Sequence, residues 1–369
     1  MISLVLCVAL AVAPVRHDIA RSPAVGADTI VDTVFVATNR ARAKDHFTRD
    51  VSDSLWYGIY VARLVIASPA ASRATATMHV TSVDSTALDA GEWRVRLRAA
   101  IRDTSAAEAP LVFVHGYSTA PREAVSQGMQ VKARGGHRGP LVLFMWPTRG
   151  LYVIPTPGTV YRDDARAAAL SGPSLAQLLR AVDSVSADVV LVAHSMGSRI
   201  VCDALIGDSP TFAQFAAHPL RALGIFSPDV GAQRFRNEFA PRLPTVARRV
   251  ALYGAATDYL LGAAVLMNGE RRAAGITRRG DPLPGIELID DTRGARAEPL
   301  LLALAGPRHA VRWASAALTD FFGVVVAGVE PRCRVVVGTA DSMSVGRWRL
   351  RPGVITPVPA DSACRARYT

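Results

Sequence analysis

Hydrophobic and polar positions alternate through the first third of the chain. Thr33–Arg40 reads as an entry strand, and Trp56–Val65, Thr75–Ser82 and Trp93–Ala99 are further strand candidates in which apolar and polar residues alternate. That alternation predicts half-buried antiparallel strands at the edge of a sheet. From Pro110 the pattern changes to short, continuous apolar runs. Pro110–Tyr117, Pro140–Pro147, Val189–Ala193, Arg221–Ser227, Arg249–Gly254 and Ile286–Ile289 are of this kind. Such runs suit parallel strands covered on both faces. Helical spacing is expected between them at about Pro121–Arg134 and Asp163–Val182, in the stretch after Gly197, and at Trp313–Phe322. Strands that alternate with helices imply an α/β fold with a mostly parallel, doubly wound sheet and antiparallel N-terminal edge strands.

One junction stands out within this pattern. The run Val189–Ala193 stops at His194-Ser195-Met196-Gly197, and Ile200, Val201, Ala204 and Leu205 then recur at helical spacing. A serine on such a sharp strand-to-helix turn holds its hydroxyl out at the carboxyl end of the sheet, as in the nucleophile elbow G-x-S-x-G. Here Ala193 stands in the place of the first glycine. A plain junction with a capping serine would look similar.

A serine hydroxyl needs a base to accept its proton, and the base needs an orienting acid. His218 and His309 are the histidines after Ser195. His218 precedes a strand and so belongs at the opposite end of the sheet, whereas His309 follows the last strand and is the preferred base. Asp258 and Asp229 both follow strands on the same edge, where catalytic groups of open α/β sheets gather. Asp258 is the preferred acid and Asp229 its alternative, while Asp290 and Asp291 read as turn residues. Backbone N–H groups of Met196 and Tyr117 are the expected oxyanion donors. His115, Gly116 and Arg149 stand at strand ends as further candidates for substrate contact, with a structural ion pair an equal reading for Arg149. Arg199, one helical turn after Ser195, reads as structural, and Asn39 and Arg40 read as turn residues.

Composition narrows the setting. The net charge is +11, but the basic residues are nearly all scattered arginines. Nucleic-acid binding calls for a clustered patch and is not expected, whereas attraction to an anionic membrane surface stays compatible with the charge. The apolar run Ile2–Pro14 has the length of a signal-peptide core and is too short to span a bilayer. Residues 1–27 are therefore expected to be a signal peptide or N-terminal anchor, which places the protein outside the cytoplasm, in the periplasm or beyond. Cys202 reads as a core thiol, while Cys333 and Cys364 bracket the tail and are expected to form a disulfide in an exported protein. No cysteine or histidine cluster calls for a metal, and no cofactor is expected. The domain division expected is 28–328 for the α/β domain and 329–369 for a small disulfide-closed appendage.

The motifs in their order resemble DUF900, an uncharacterised bacterial branch of the α/β-hydrolase superfamily. The matching pieces are Val34–Arg40, Val112–Tyr117, Leu143–Gly150, Val192–Arg199, Ser227–Val230 and Leu252–Asp258. The resemblance implies an α/β-hydrolase fold and a serine hydrolase with Ser195, Asp258 and His309 as triad. The expected substrate is a small-molecule or lipid carboxylic ester. Lipase or amidase activity is the neighbouring reading within the class, and a non-catalytic envelope-binding module is the reading outside it.

Overall fold

The computed structural model describes residues 28–350 apart from positions 45, 68–76, 104–107, 150–156, 257, 270–271, 277–281, 293–314, 332, 335–339 and 345. The expected signal segment, His309 and Cys364 lie outside the described residues.

An 11-stranded sheet organises these residues. Its strands are β1 (Asp28–Ala43), β2 (His46–Ala67), β3 (Thr77–Leu88), β4 (Leu111–Val114), β5 (Leu141–Phe144), β6 (Val190–His194), β7 (Ala222–Phe226), β8 (Val250–Gly254), β9 (Ile286–Asp290), β10 (Ala340–Ser344) and β11 (Arg347–Leu350). The spatial order is β10-β11-β9-β8-β7-β6-β4-β5-β1-β2-β3. Every neighbouring pair from β1 across to β11 is parallel. The β1–β2, β2–β3 and β10–β11 pairs are antiparallel. The segments Trp56–Val65 and Thr75–Ser82 thus lie in the antiparallel edge that their period implies, joined to the parallel strands through β1.

Continuous apolar runs make the central strands because both faces of the sheet are covered. Along β4, Val112 and Val114 enter one core with Phe144, Leu175 and Ile200, whereas Leu111 and Phe113 enter the other with Val125, Met129 and Phe321. Burying an aliphatic side chain contributes about 1.5–3 kcal/mol, so a polar residue on either face of these strands would be costly. Helix α1 (Ala90–Asp103), α3 (Pro157–Asp183) and α4 (Gly197–Cys202) pack on the first face, and α2 (Pro121–Gly135) packs on the second.

The segment Trp93–Ala99 is helical, not a strand. Its arginines at every second position mimic a strand, but the buried side chains are Trp93 and Leu97, four apart on one helical face. Asp89 caps the helix by accepting the N–H groups of Gly91 at 2.7 Å and Glu92 at 2.9 Å. Trp93 then packs edge-on against Phe35 with ring centroids 5.8 Å apart.

In the described part of the tail, β11 extends the sheet by pairing in parallel with β9. Arg334 anchors it beneath the sheet. Its fully buried guanidinium meets Asp320 at 2.7 Å and Glu287 at 2.5 Å and lies 4.5 Å from the centre of the Trp348 ring. Tyr253 donates to the same Asp320 at 2.6 Å. The charges of Asp320 and Glu287 hold the Arg334 guanidinium firmly protonated despite its burial. Among the described residues Cys202 is a free, buried thiol and Cys333 is buried, while Cys364, its expected partner, lies outside them. No described helix is long and apolar enough to cross a membrane.

Candidate active site

The chain passes from β4 through α2 to β5 on one side, and then through α3 to β6 on the other side of β4. The strand order therefore reverses between β4 and β6. In open α/β sheets the crevice for ligands lies beyond the carboxyl ends of the strands at such a reversal. Gly116 and Tyr117 follow β4 there, and Ser195 follows β6.

Backbone strain marks the same edge. The described non-glycine residues with positive φ are Lys44, Ser118, Ser195 and Ser227. Three of these, Ser118, Ser195 and Ser227, stand just beyond β4, β6 and β7. Serine in the left-handed region persists only where the surroundings hold it, and such residues cluster at functional sites. The φ of Ser195 is 52°. Its N–H donates to the carbonyl of Phe226 at 2.9 Å, and its carbonyl accepts from Ser198 at 3.0 Å and Asp229 at 3.2 Å. The turn is thus bonded to the neighbouring strand and to the start of α4, with Met196 at the N-cap.

Two glycines bring the β4 loop against this turn. A Cβ on Gly116 would lie 2.6 Å from Nδ1 of His194 and 3.1 Å from Cβ of Ser195. A Cβ on Gly197 would lie 2.4 Å from the carbonyl oxygen of His115. A side chain at Gly197 would push the two backbones apart, and one at Gly116 would displace the His194 ring. The Gly116–Tyr117 peptide is also held in place. Thr119 Oγ1 donates to the Gly116 carbonyl at 3.1 Å, and His115 Nδ1 lies 2.9 Å from the same oxygen. A carbonyl only accepts, so Nδ1 of His115 carries the proton. In a trans peptide the N–H points opposite to the C=O. The N–H of Tyr117 is therefore directed away from Thr119 and the His115 ring.

His115 is fully buried, with its ring stacked on Trp146 at 5.3 Å. Desolvation pushes its pKa down to about 3, so the imidazole is neutral at physiological pH. From this buried position behind the loop it supports the Gly116 peptide. Arg149 has its guanidinium half exposed and 3.1 Å from Asp163, which is the ion-pair reading of that residue.

The two aspartates have different surroundings. Asp229 accepts from the Tyr161 hydroxyl at 2.6 Å on one oxygen and from Arg199 at 3.0 Å on the other. Arg199 also donates to the Asp229 carbonyl at 2.5 Å, so both residues are committed to one network. Asp258 is buried beyond β8, and its Oδ1 caps the helix Tyr259–Asn268 by accepting the N–H of Leu261 at 3.0 Å. Asp290 accepts the N–H of Thr292 at 2.9 Å, as a turn residue does.

A polar layer behind the β4 loop escaped sequence reading. Arg40 lies within β1, not in a turn, and is buried. Its guanidinium donates to the carbonyl and hydroxyl oxygens of Thr148 at 3.3 Å. Burial lowers its pKa to about 10, which leaves it charged, and Asp164 acts in the opposite direction. Asn39, also within the strand, donates to Ser171 at 3.0 Å. Asp164 itself is buried in α3. Its position in the amphipathic pattern is that of an ordinary acid near a helix start, so no sequence signal separated it from Asp163. Among the described residues no group of histidines, cysteines and carboxylates could hold a metal ion.

Residues 91–282 match the family described as "Alpha/beta hydrolase of unknown function (DUF900)". Among solved structures, the chain is similar to a thermophilic esterase from the planctomycete Thermogutta terrifontis with butyrate bound. That similarity has 11% identity and a TM-score of 0.22, and it covers 50% of this chain and 72% of the esterase. No curated protein matches. With a match over more than half its length, the chain belongs to the DUF900 family of α/β-hydrolases.

Proposed function

We propose that this protein is a serine hydrolase that cleaves carboxylic esters through an acyl-enzyme. The observation that carries the reading is Ser195 held at positive φ beyond β6, with the Gly116 loop packed against it at the reversal of strand order. Ser195 Oγ attacks the ester carbonyl carbon while His309 accepts its proton. The N–H groups of Met196 and Tyr117 receive the negative charge that develops on the carbonyl oxygen. His309 then protonates the departing alcohol, and water repeats the sequence in reverse to release the acid. Asp258 orients His309, because Asp229 already serves Tyr161 and Arg199 on both oxygens.

The setting we propose is extracytoplasmic, with residues 1–27 as export signal or anchor and a Cys333–Cys364 disulfide closing the tail. The substrate class is a small-molecule or lipid ester, and the scattered positive charge suits work at an anionic membrane surface. The test is steady-state turnover on a series of p-nitrophenyl esters of increasing chain length. Ser195→Ala is expected to lower turnover by up to about 10⁶, as for other removed nucleophiles. Wild-type protein without turnover on any chain length, with and without lipid vesicles, would contradict the esterase reading and favour a binding module.

A further inference from the structure

The polar layer behind the β4 loop contains a carboxylate that the proposed chemistry does not use. Asp164 is 1% exposed. Its Oδ2 accepts the N–H of Ser118 at 3.0 Å, and its Oδ1 accepts the N–H of Arg149 at 2.8 Å. One carboxylate thus bridges the loop after β4 to the loop after β5. A second bridge runs alongside, from Thr148 Oγ1 to the Thr119 carbonyl at 2.5 Å, with Arg40 on Thr148 from behind. The two bridges land on consecutive residues of the loop. Ser118 has a φ of 54°, a conformation that serine does not hold without outside support.

We propose that Asp164 is a positioning residue for the oxyanion loop, fixing Ser118 so that the preceding Tyr117 N–H is aimed before substrate arrives. The inference rests on Tyr117 being an oxyanion donor in the proposed mechanism. Asp164 itself touches no reacting atom. Preorganisation of this kind raises kcat and leaves ground-state binding unchanged, because the donor meets full charge only in the transition state. Burial raises the Asp164 carboxyl to about pKa 6, against the pull of both N–H donors and of the Arg40 and Arg149 charges. It is therefore mainly ionised at pH 7.5, the form best able to accept both bonds.

The experiment compares the full chain with its Asp164→Asn variant at pH 7.5, using a p-nitrophenyl ester and an aryl trifluoromethyl ketone. Ser195 Oγ adds to the ketone carbon, its proton passes to His309, and the carbonyl electron pair becomes an oxyanion in the hole. Asparagine keeps the shape but turns one acceptor into a donor that faces an N–H. The expected result is a kcat lower by about 10–100-fold, in the range seen when an oxyanion donor is impaired. KM should stay within about twofold, and the ketone inhibition constant should rise by the same factor as kcat/KM falls. A purely structural role would lower the melting temperature without that proportionality. An active wild type whose Asp164→Asn variant keeps both kcat and ketone affinity overturns the positioning role alone. A wild type that neither hydrolyses ester nor binds ketone overturns the esterase reading and this inference with it. If Asp164→Asn does not fold, Asp164→Glu decides by keeping the charge while displacing both acceptor oxygens from Ser118 and Arg149. A several-fold loss of kcat with parallel loss of ketone affinity supports the inference, and unchanged values overturn it.

Discussion

Ser195 occupies a conformation that costs free energy, on the order of 1–3 kcal/mol for a non-glycine residue at positive φ. The geometry demands it: a φ of 52° turns the chain from β6 into α4. This cost is measurable apart from chemistry. Ser195→Ala and Ser195→Gly both remove the hydroxyl, but only glycine relieves the strain. The glycine variant is expected to be more stable than the alanine variant by about 1 kcal/mol in urea denaturation, with both inactive. An alanine variant of equal or greater stability would mean that the turn is not strained.

At the scale of elements, the strands beyond Pro110 place the candidate groups and do so through burial on both faces. Asp258 and Asp229 lie beyond neighbouring strands, β8 and β7, and differ in what already holds them. Asp258→Asn is expected to keep the fold and lower turnover by about 10⁴, as when an imidazole loses its orienting carboxylate. Asp229→Asn should act mainly on stability, because it disturbs the bonds to Tyr161 and Arg199. Reversed kinetic effects would move the acid to the earlier strand. The parallel strands and the elbow were legible because continuous Val, Leu and Ile runs have one structural solution in this sheet. Trp93–Ala99 was misread because Arg94, Arg96 and Arg98 carry a period of two, while the two residues that fix the helix, Trp93 and Leu97, are four apart. Asp164 and Arg40 were invisible as functional residues for a different reason. Their role depends on contacts between residues 15, 46 and 108 positions apart in sequence, and no local pattern encodes such contacts.

The whole molecule is tied together at the end of the sheet away from Ser195. Arg334 has no solvent to share its charge with and depends on Asp320 and Glu287, which in turn meet Tyr253 and Arg249. The described part of the tail is therefore joined to the sheet. Removing one partner from a buried ion pair costs about 3–5 kcal/mol because the other charge is left uncompensated. Arg334→Ala is expected to lower stability by that amount in chemical denaturation, a large share of the ~5–15 kcal/mol that holds a native protein. A loss below about 1 kcal/mol would show that the tail rests on the sheet without supporting it.

The central claim is that Ser195 is an activated nucleophile. The most direct measurement is reaction of the folded protein with a fluorophosphonate probe, followed by mass mapping of the modified peptide. An ordinary serine hydroxyl does not react, whereas one whose proton is taken by a base does. The account predicts one label per chain, on Ser195, strongly slowed in His309→Ala and absent in Ser195→Ala. Folded wild-type protein that stays unlabelled with lipid vesicles present, or that carries its label on another serine, would contradict it.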